Sequence, residues 1–190
     1  MSTDNRHIIE FRALSRDDFP RLAAWLRQPH IERWWNDDAS PAALERDYGG
    51  AIDGSEPSRV FIARLDGEPI GLIQSYRLGD YPSHLDELHT VIAVDPCASS
   101  IDYFVGPAER CCQGIGTQMI AAYVRKLWAD DGDTPSIVVP TNALNRASWR
   151  SLERAGFTRL AEGDLSPDNP IDPPRHFLYR LARPGAATRR

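Results

Sequence analysis

The stretch that most constrains this chain is residues 100–127, where a short apolar segment, a glycine-containing loop and an amphipathic segment follow one another. The apolar segment, residues 101–105, is typical of a buried strand but carries one acid, Asp102, in its middle. After the loop, apolar residues recur at spacings of one, three and four, which predicts a helix. The free amides and the dipole at the start of such a helix favour an anion, and Gly114 and Gly116 leave the backbone open to it. The sequence therefore predicts a phosphate-binding turn beside a buried acid.

The segments on either side of this stretch alternate between strand and helix patterns. Ser15, with an acid three residues later, and Ser40, followed by Pro41, predict two helix starts. Asp66-Gly67 predicts the turn of a β-hairpin. The other predicted elements are strands at 7–14, 59–65, 69–78, 136–139, 157–161 and 176–181, helices ending near residues 29, 52, 131 and 155, and an irregular, acid-rich loop at 79–97.

The predicted order of elements, β-α-α-β-β-β-α-β-α-β-β, indicates an α/β (α+β) fold with a mixed sheet and helices on both faces. At 190 residues, 42% hydrophobic and 26% charged, the chain has the composition of one globular domain. We expect a single domain over residues 1–183 and a disordered C-terminal tail at 184–190.

Composition and charge exclude several classes of function. The net charge is −5 and the basic residues are scattered, so we expect no nucleic-acid partner and slightly favour a small cationic ligand. No apolar run approaches the ~20 residues of a membrane span, and the polar N-terminus is unlike a signal peptide, which predicts a cytoplasmic protein with no membrane partner. The three cysteines and the spacing of the histidines predict neither a disulfide framework nor a metal site.

The glycine turn, together with Asn145 followed eleven residues later by Gly156-Phe157, resembles the GCN5-related N-acetyltransferase (GNAT) family. This resemblance implies a mostly antiparallel sheet of about seven strands, in which a parallel pair splays apart to bind the co-substrate acetyl-CoA. It also implies that the glycine turn binds the pyrophosphate, although Cys111 stands where the family has Gln or Arg. The implied cofactor-binding residues are Tyr103, Phe104, Val105, Arg110, Cys111, Cys112, Gln113, Gly114, Ile115, Gly116, Thr117 and Asn145.

A closer resemblance, spanning nearly the whole chain, is to the aminoglycoside 6'-N-acetyltransferases. It is carried by PHIERWW, DGEPIGLIQSY, SID, GIGT and ERAGF, which begin at residues 29, 66, 100, 114 and 153. The resemblance implies that Asp102 lies near the acceptor amine as the catalytic carboxylate. The implied substrate-binding residues are Trp35, Tyr48, Glu56, Gln74, Asp80 and Asp102. Two positions depart from the family: Leu152 replaces a tyrosine that protonates the leaving thiolate, and Pro140 replaces an acid of the pocket.

Acetyl transfer to an amine needs a neutral nucleophile and a polarised thioester carbonyl. We expect Asp102 mainly to hold the substrate ammonium and to accept a proton as attack proceeds, because its reference pKa of ~3.9 makes it a poor base unless burial raises that pKa. The alternative for Asp102 is a structural acid paired with an arginine. Backbone amides near residues 103–105 are candidates to stabilise the oxyanion. Solvent can protonate a thiolate whose conjugate thiol has a pKa of ~8.5, so the loss of the tyrosine is tolerable.

Other conspicuous side chains leave both functional and structural interpretations open. For Trp34, the sequence is equally consistent with a position in the core and with a position in a binding site. For Trp35, the neighbouring acids favour a ring that stacks on a sugar or cation of a ligand. Glu56 and Asp80 are candidates for a ligand role or for plain surface charges. The adjacent Cys111 and Cys112 have no paired histidine motif, so we interpret them as structural.

The sequence is consistent with three functions. The first is acetylation of the 6'-amine of an aminoglycoside, a resistance activity, by a monomer or homodimer. The second is N-acylation of a lysine or hydroxylysine side chain in siderophore biosynthesis, which predicts a less acidic cleft. The third is a module that binds coenzyme A but does not catalyse transfer. The presence of Leu152 where the family has a tyrosine is consistent with it.

Overall fold

A computed structural model describes residues 8–185 as a single seven-stranded sheet flanked by six α-helices. The strands are β1 (Ile9–Ala13), β2 (Arg59–Leu65), β3 (Glu68–Arg77), β4 (Ser99–Val105), β5 (Ser136–Asn142), β6 (Thr158–Asp164) and β7 (Arg175–Ala182). The helices are α1 (Phe19–Leu26), α2 (Pro29–Trp35), α3 (Pro41–Asp53), α4 (Pro82–His89), α5 (Ile115–Asp130) and α6 (Arg146–Arg154), with short 3₁₀ turns at Arg16–Asp18, Leu78–Asp80 and Ala108–Arg110.

The sheet has the strand order β1-β2-β3-β4-β5-β7-β6, and its one parallel pair is β4 with β5. These two strands are in register at only one pair, Ser99 opposite Ile137, and diverge beyond it. Backbone groups that a ladder would pair are therefore left facing a gap in the middle of the sheet. This confirms the predicted fold, including the splayed parallel pair.

The helices divide between the two faces of the sheet, and consecutive residues of each strand alternate between those faces. Phe104 of β4 packs with Leu72 in a core beneath α1, α2 and α3. Ile101, from the same strand, packs with Ile120 of α5 and Leu152 of α6 on the opposite face. Helix α4 lies on the first face, over a smaller core that holds Leu88, Val138 and Leu178.

The local signals for element ends are confirmed by the backbone. Ser40 Oγ accepts a hydrogen bond from the Ala43 amide at 3.3 Å and so caps α3. Asp66 and Gly67 both have positive φ, 51° and 88°, as a two-residue hairpin turn requires. Gly156 ends α6 with φ 97°.

Two helices lie where the sequence predicted none. The range 79–97 is not irregular throughout, because α4 begins at Pro82 and buries Leu88 completely. Residues 29–35 form α2, with Pro29 at the first helical position rather than acting as a terminator. Proline is common both just after the end of a helix and at the first position of a helix. Pro29 alone therefore did not show whether a new helix begins there.

Strand β5 runs past the predicted end at Val139 to Asn142 and includes Pro140, which pairs with Leu178 of β7. Proline is tolerated there because β5 has lost its partner on the gap side, where no ladder amide is needed. Most of the predicted tail at 184–190 lies outside the described residues. Within residues 8–185, no helix combines the length and apolarity needed to cross a membrane.

Candidate active site

A cavity of about 750 Å³ opens at the gap between β4 and β5. Its floor comes from the two strands, its sides from α2, α3 and α4, and its rim from the loop between β6 and β7. It is lined by Trp34, Trp35, Asp37, Arg46, Asp47, Tyr48, Gln74, Tyr76, His84, Glu87, Ile101, Asp102, Tyr103, Val139, Pro140, Thr141, Asn142, Asn145, Ser148, Leu165, Ser166, Pro167, Asp168, Asn169, Asp172 and His176.

Asp102 lies in the floor of the cavity, in the middle of β4. It is opposite Gln74 of β3, whose Nε2 donates a hydrogen bond to the carboxylate at 2.9 Å. Burial raises the pKa of Asp102 to about 6, the Gln74 amide lowers it in part, and the negative charge of Asp168 raises it further. A carboxylate with this pKa is mostly ionised at neutral pH and is a far better proton acceptor than an ordinary aspartate.

Further acids surround Asp102 on the same side of the sheet. Burial raises the pKa of Asp37 to about 6, helped by the charges of Asp47 and Asp168. Asp47 forms an ion pair with Arg46 at 2.7 Å, which offsets its charge. The cavity therefore carries a net negative potential, which attracts a cationic ligand.

Aromatic side chains form the wall of the cavity next to these acids. Trp35 packs edge-on against Phe104 at 4.9 Å between ring centroids and is partly buried against the α1–α3 core. Trp34 lies on the cavity surface under the Arg33 guanidinium, 4.4 Å from its ring centroid, so it is not a core residue. Tyr48 is buried, and burial together with the charge of Asp37 raises the pKa of its phenol.

The rim loop, residues 165–174, is fastened at both ends. The Ser166 amide donates to Glu87 Oε1 of α4 at 2.6 Å. Arg33 of α2 pairs with the buried carboxylate of Asp172, with Nη1 at 2.7 Å from Oδ2. Between these anchors Asp168 lines the cavity. Burial raises its pKa, although His176 and His84 nearby oppose that shift.

The predicted phosphate turn lies where β4 leads into α5. Gly114 caps the helix with φ 78°, and an added Cβ there would meet no atom within 4 Å. The first amide with a helical acceptor is that of Gln118, which donates to the Gly114 carbonyl at 3.1 Å. The amides before it belong to the first turn, where helical geometry supplies no acceptor, so they are available to an anion.

Cys111 and Cys112 lie in the loop that leads into this turn. Cys112 has a left-handed backbone with φ 62° and is exposed. The Cys111 thiol contacts the Pro107 carbonyl at 3.9 Å, and burial raises its pKa. A thiol with a raised pKa is a poor nucleophile at neutral pH. In the part of the chain that the structure describes, no three His, Cys, Asp or Glu side chains are grouped to hold a metal ion.

A family model described as an acetyltransferase (GNAT) domain matches residues 15–165. The chain belongs to the GNAT acetyltransferase family. Over 173 residues it is 31% identical to an aminoglycoside N(6')-acetyltransferase type 1 of Klebsiella pneumoniae, with 88% of this chain and 82% of the relative covered. The family predicted from the glycine turn is thereby confirmed.

Solved structures of GNAT acetyltransferases share the fold over nearly the whole chain. A complex of the aminoglycoside acetyltransferase AAC(6')-Ib with paromomycin and acetyl-CoA has a TM-score of 0.79 at 26% identity, covering 96% of this chain and 98% of that one. A complex of the same enzyme with coenzyme A and kanamycin has a TM-score of 0.78 at 26% identity, covering 93% and 96%. The predicted likeness to aminoglycoside 6'-N-acetyltransferases is confirmed at the level of sequence and fold.

The GNAT fold brings together only some of the predicted site residues. The cavity lining includes Trp35, Tyr48, Gln74, Asp102, Tyr103 and Asn145. The predicted residues 110–117 lie outside it, at the end of the 3₁₀ turn Ala108–Arg110, in the loop that follows and at the start of α5. Glu56 is exposed and accepts a hydrogen bond from the Tyr81 hydroxyl at 2.6 Å. Asp80 lines a separate hollow with Arg77 and Asp131. Neither acid is among the residues that line the cavity around Asp102.

Other cavity residues were not predicted. Asp47, Asp168 and Glu87 line the cavity, but each looks like an ordinary surface acid in the sequence. The one available signal was the Pro- and Asp-rich composition of the rim loop, because it marks a loop, and binding residues often lie on loops.

Proposed function

We propose that this chain is an acetyl-CoA-dependent N-acetyltransferase that modifies a primary amine of aminoglycosides, the 6'-amine. The observation that carries the proposal is the acid-lined cavity that ends at Asp102 in the gap between β4 and β5. It is supported by the similarity to the aminoglycoside N(6')-acetyltransferase of Klebsiella pneumoniae and to AAC(6')-Ib, which was solved with paromomycin and with kanamycin.

The residues at the start of α5 fit the pyrophosphate of acetyl-CoA. Their free amides supply the donors, and a Cβ added at Gly116 would come within 3.5 Å of Ser151 Oγ and 3.8 Å of Val105, so the missing side chain keeps this approach open. Acetyl-CoA supplies the acetyl group as a thioester. We infer that it is bound by Tyr103, Phe104, Val105, Arg110, Cys111, Cys112, Gln113, Gly114, Ile115, Gly116, Thr117 and Asn145.

Asp102 performs two tasks in this mechanism. Its carboxylate attracts the protonated amine, and its pKa of about 6 lets it accept a proton, directly or through water, as the amine nitrogen attacks the carbonyl carbon. Unpaired amides of β4 on the gap side face the same space and are suited to stabilise the oxyanion. The C–N bond forms, the C–S bond breaks, and the sulfur leaves with the bonding electrons.

The rest of the cavity selects a polycation. Asp37 and Asp168 flank Asp102 with negative charge, and Trp35, Tyr48 and Gln74 complete the surface that a sugar ring would meet. A volume of about 750 Å³ suits a ligand of several rings. Among the acids expected from the resemblance, Glu56 and Asp80 remain candidates only for a ligand that extends beyond the cavity. The acidic lining counts against the siderophore alternative, which predicted a less acidic cleft.

We also propose that residues 1–183 act as one domain, that the enzyme is cytoplasmic, and that its activity confers aminoglycoside resistance as a monomer or homodimer. The test is release of free thiol from acetyl-CoA with kanamycin or tobramycin as acceptor, with spermidine and free lysine as control amines. We expect rapid release with the aminoglycosides, slow release with the controls, and a product acetylated at the 6'-amine. No thiol release with any aminoglycoside would overturn the proposal.

A further inference from the structure

We propose that the hydroxyl of Tyr103 donates the proton that the departing thiolate of coenzyme A requires. The inference rests on the proposed acetyl transfer, because only that reaction creates the thiolate. It assigns to the Tyr103 side chain a role beyond its expected place in the cofactor-binding surface.

The position of Tyr103 in β4 separates it from the acceptor amine. Asp102 and Tyr103 are consecutive in one strand, so their side chains point to opposite faces of the sheet. Asp102 shares its face with Phe104 and the acids of the cavity, whereas Tyr103 packs on the α5 and α6 face with Ile115 and Met119. An amine drawn to Asp102 therefore approaches from the first face, and the leaving group departs on the side of Tyr103.

The contacts of the Tyr103 hydroxyl place it on the route from the phosphate turn to the gap. The hydroxyl lies 2.9 Å from Ser148 Oγ and 3.3 Å from the Ser148 carbonyl, at the first turn of α6. Three residues along this helix, Ser151 lies 3.5 Å from the position of a Cβ at Gly116. A chain that starts at the turn and runs along α6 to the gap therefore passes the Tyr103 hydroxyl.

Helix α6 itself offers no acid at this point. Leu152 lies four residues after Ser148, on the same face of the helix, and is completely buried among apolar residues. The Tyr103 hydroxyl reaches this face from the neighbouring strand instead. Burial raises the pKa of Tyr103, so the phenol is protonated throughout the neutral range, and it can pass its proton on when another donor replaces that proton in the same step.

The proton balance is closed by Ser148. As the C–S bond breaks, the Tyr103 O–H proton passes to the sulfur, and the thiol leaves. In the same step the Tyr103 oxygen takes a proton from the Ser148 hydroxyl at 2.9 Å, and Ser148 takes one from solvent in the cavity, so no free phenolate forms. The amine proton goes separately to Asp102 on the other face, so the two proton transfers do not compete.

The test compares Tyr103→Phe with Tyr123→Phe. Tyr123 is a matched control because it is also a buried tyrosine bonded to a serine, with its hydroxyl 2.7 Å from Ser75 Oγ, and it does not line the cavity. We expect Tyr103→Phe to lower kcat on the order of 10²-fold, with KM for acetyl-CoA nearly unchanged, and Tyr123→Phe to leave both constants within about twofold. Ser148→Ala should lower kcat less than Tyr103→Phe does, since it removes only the relay.

A second readout does not depend on turnover. The pKa of the coenzyme A thiol bound to the enzyme is titrated by the ultraviolet absorbance of the thiolate, in the absence of any acceptor. Loss of the Tyr103 hydrogen bond should raise the pKa of the bound thiol by about one, whereas Tyr123→Phe should not change it. An unchanged thiol pKa, or an unchanged kcat, would overturn the proposal. Because the titration needs no aminoglycoside, it separates failure of this inference from failure of the proposed function.

Discussion

Gln74 and Asp102 face each other across β3 and β4, and the Gln74 amide donates to the Asp102 carboxylate at 2.9 Å. Burial raises the pKa of Asp102 to about 6, and the hydrogen bond from Gln74 is the interaction that limits this rise. The pair therefore sets the pH at which the proposed proton acceptor becomes ionised.

Replacing Gln74 by Leu should move the acidic limb of the pH–rate profile to higher pH. Removal of the donor destabilises the ionised carboxylate, so the pKa of Asp102 rises and more of it is protonated at a given pH. The measurement is kcat/KM for kanamycin between pH 5 and pH 9. Gln118→Leu, at an exposed position of α5, is the control and should leave the limb in place. If the acidic limb of Gln74→Leu lies at the same pH as that of the wild-type protein, ionisation of Asp102 is not the cause of the limb.

Asp102→Asn should lower activity and raise stability in the same protein. We expect kcat to fall on the order of 10²-fold, because the proton acceptor is gone. The pKa of Asp102 is above that of an unfolded aspartate, so ionisation destabilises the native state, and this destabilisation grows as pH rises from about 4 to about 6. At pH 7 the variant should therefore be more stable to urea by about 3 kcal/mol, and below about pH 3 the two proteins should be equal. An unchanged rate would exclude Asp102 from the transition state.

Asp168→Asn should weaken substrate binding and shift the pH profile in the opposite direction to Gln74→Leu. Loss of one cavity charge should raise KM for kanamycin by about tenfold, with less effect on kcat and a weaker dependence of KM on salt. The charge of Asp168 raises the pKa of Asp102, so its removal should move the acidic limb to lower pH. Asp86→Asn, on the exposed side of α4, is the matched control. Equal KM values for Asp168→Asn and the control would place Asp168 outside the binding surface.

The sequence was sufficient for the parts of this site that local patterns determine. Asp102, the glycine turn and the Asn145 cap lie within single strand–turn–helix units, where periodicity and glycine chemistry are directly visible. The position of Asp168 depends instead on Arg33 and Asp172, which are 139 residues apart in the chain and leave no local trace. Side chains on loops are placed by such distant contacts, so their convergence on a site is seen only in three dimensions.

The same limit explains why two acids that were expected at the substrate, Glu56 and Asp80, lie outside the cavity around Asp102. Glu56 and Asp80 are in short connecting segments, where local structure decides their direction. Glu56 accepts a hydrogen bond from the Tyr81 hydroxyl, and the 3₁₀ turn that contains Asp80 places it at the hollow that it shares with Arg77. Helix α4 was missed for a related reason. Its apolar residues are few, and the burial of Leu88 depends on β5 and β7, which follow it in the chain.

Arg33→Met should loosen the rim of the cavity and weaken substrate binding without changing the chemistry. The substitution leaves the buried carboxylate of Asp172 without its partner, and Arg33 is the main reason that the pKa of Asp172 lies below its usual range. We expect a melting temperature several degrees lower at pH 7, a higher KM for kanamycin, and a kcat that stays within about threefold at saturation. The loss of stability should shrink as pH falls below about 4, because protonation of Asp172 removes the benefit of the pair from the wild-type protein as well.

Arg125→Met, at an exposed position of α5, controls for the loss of one positive charge. An Arg33→Met protein with the wild-type KM would show that the loop keeps its place through Glu87 and Ser166 alone.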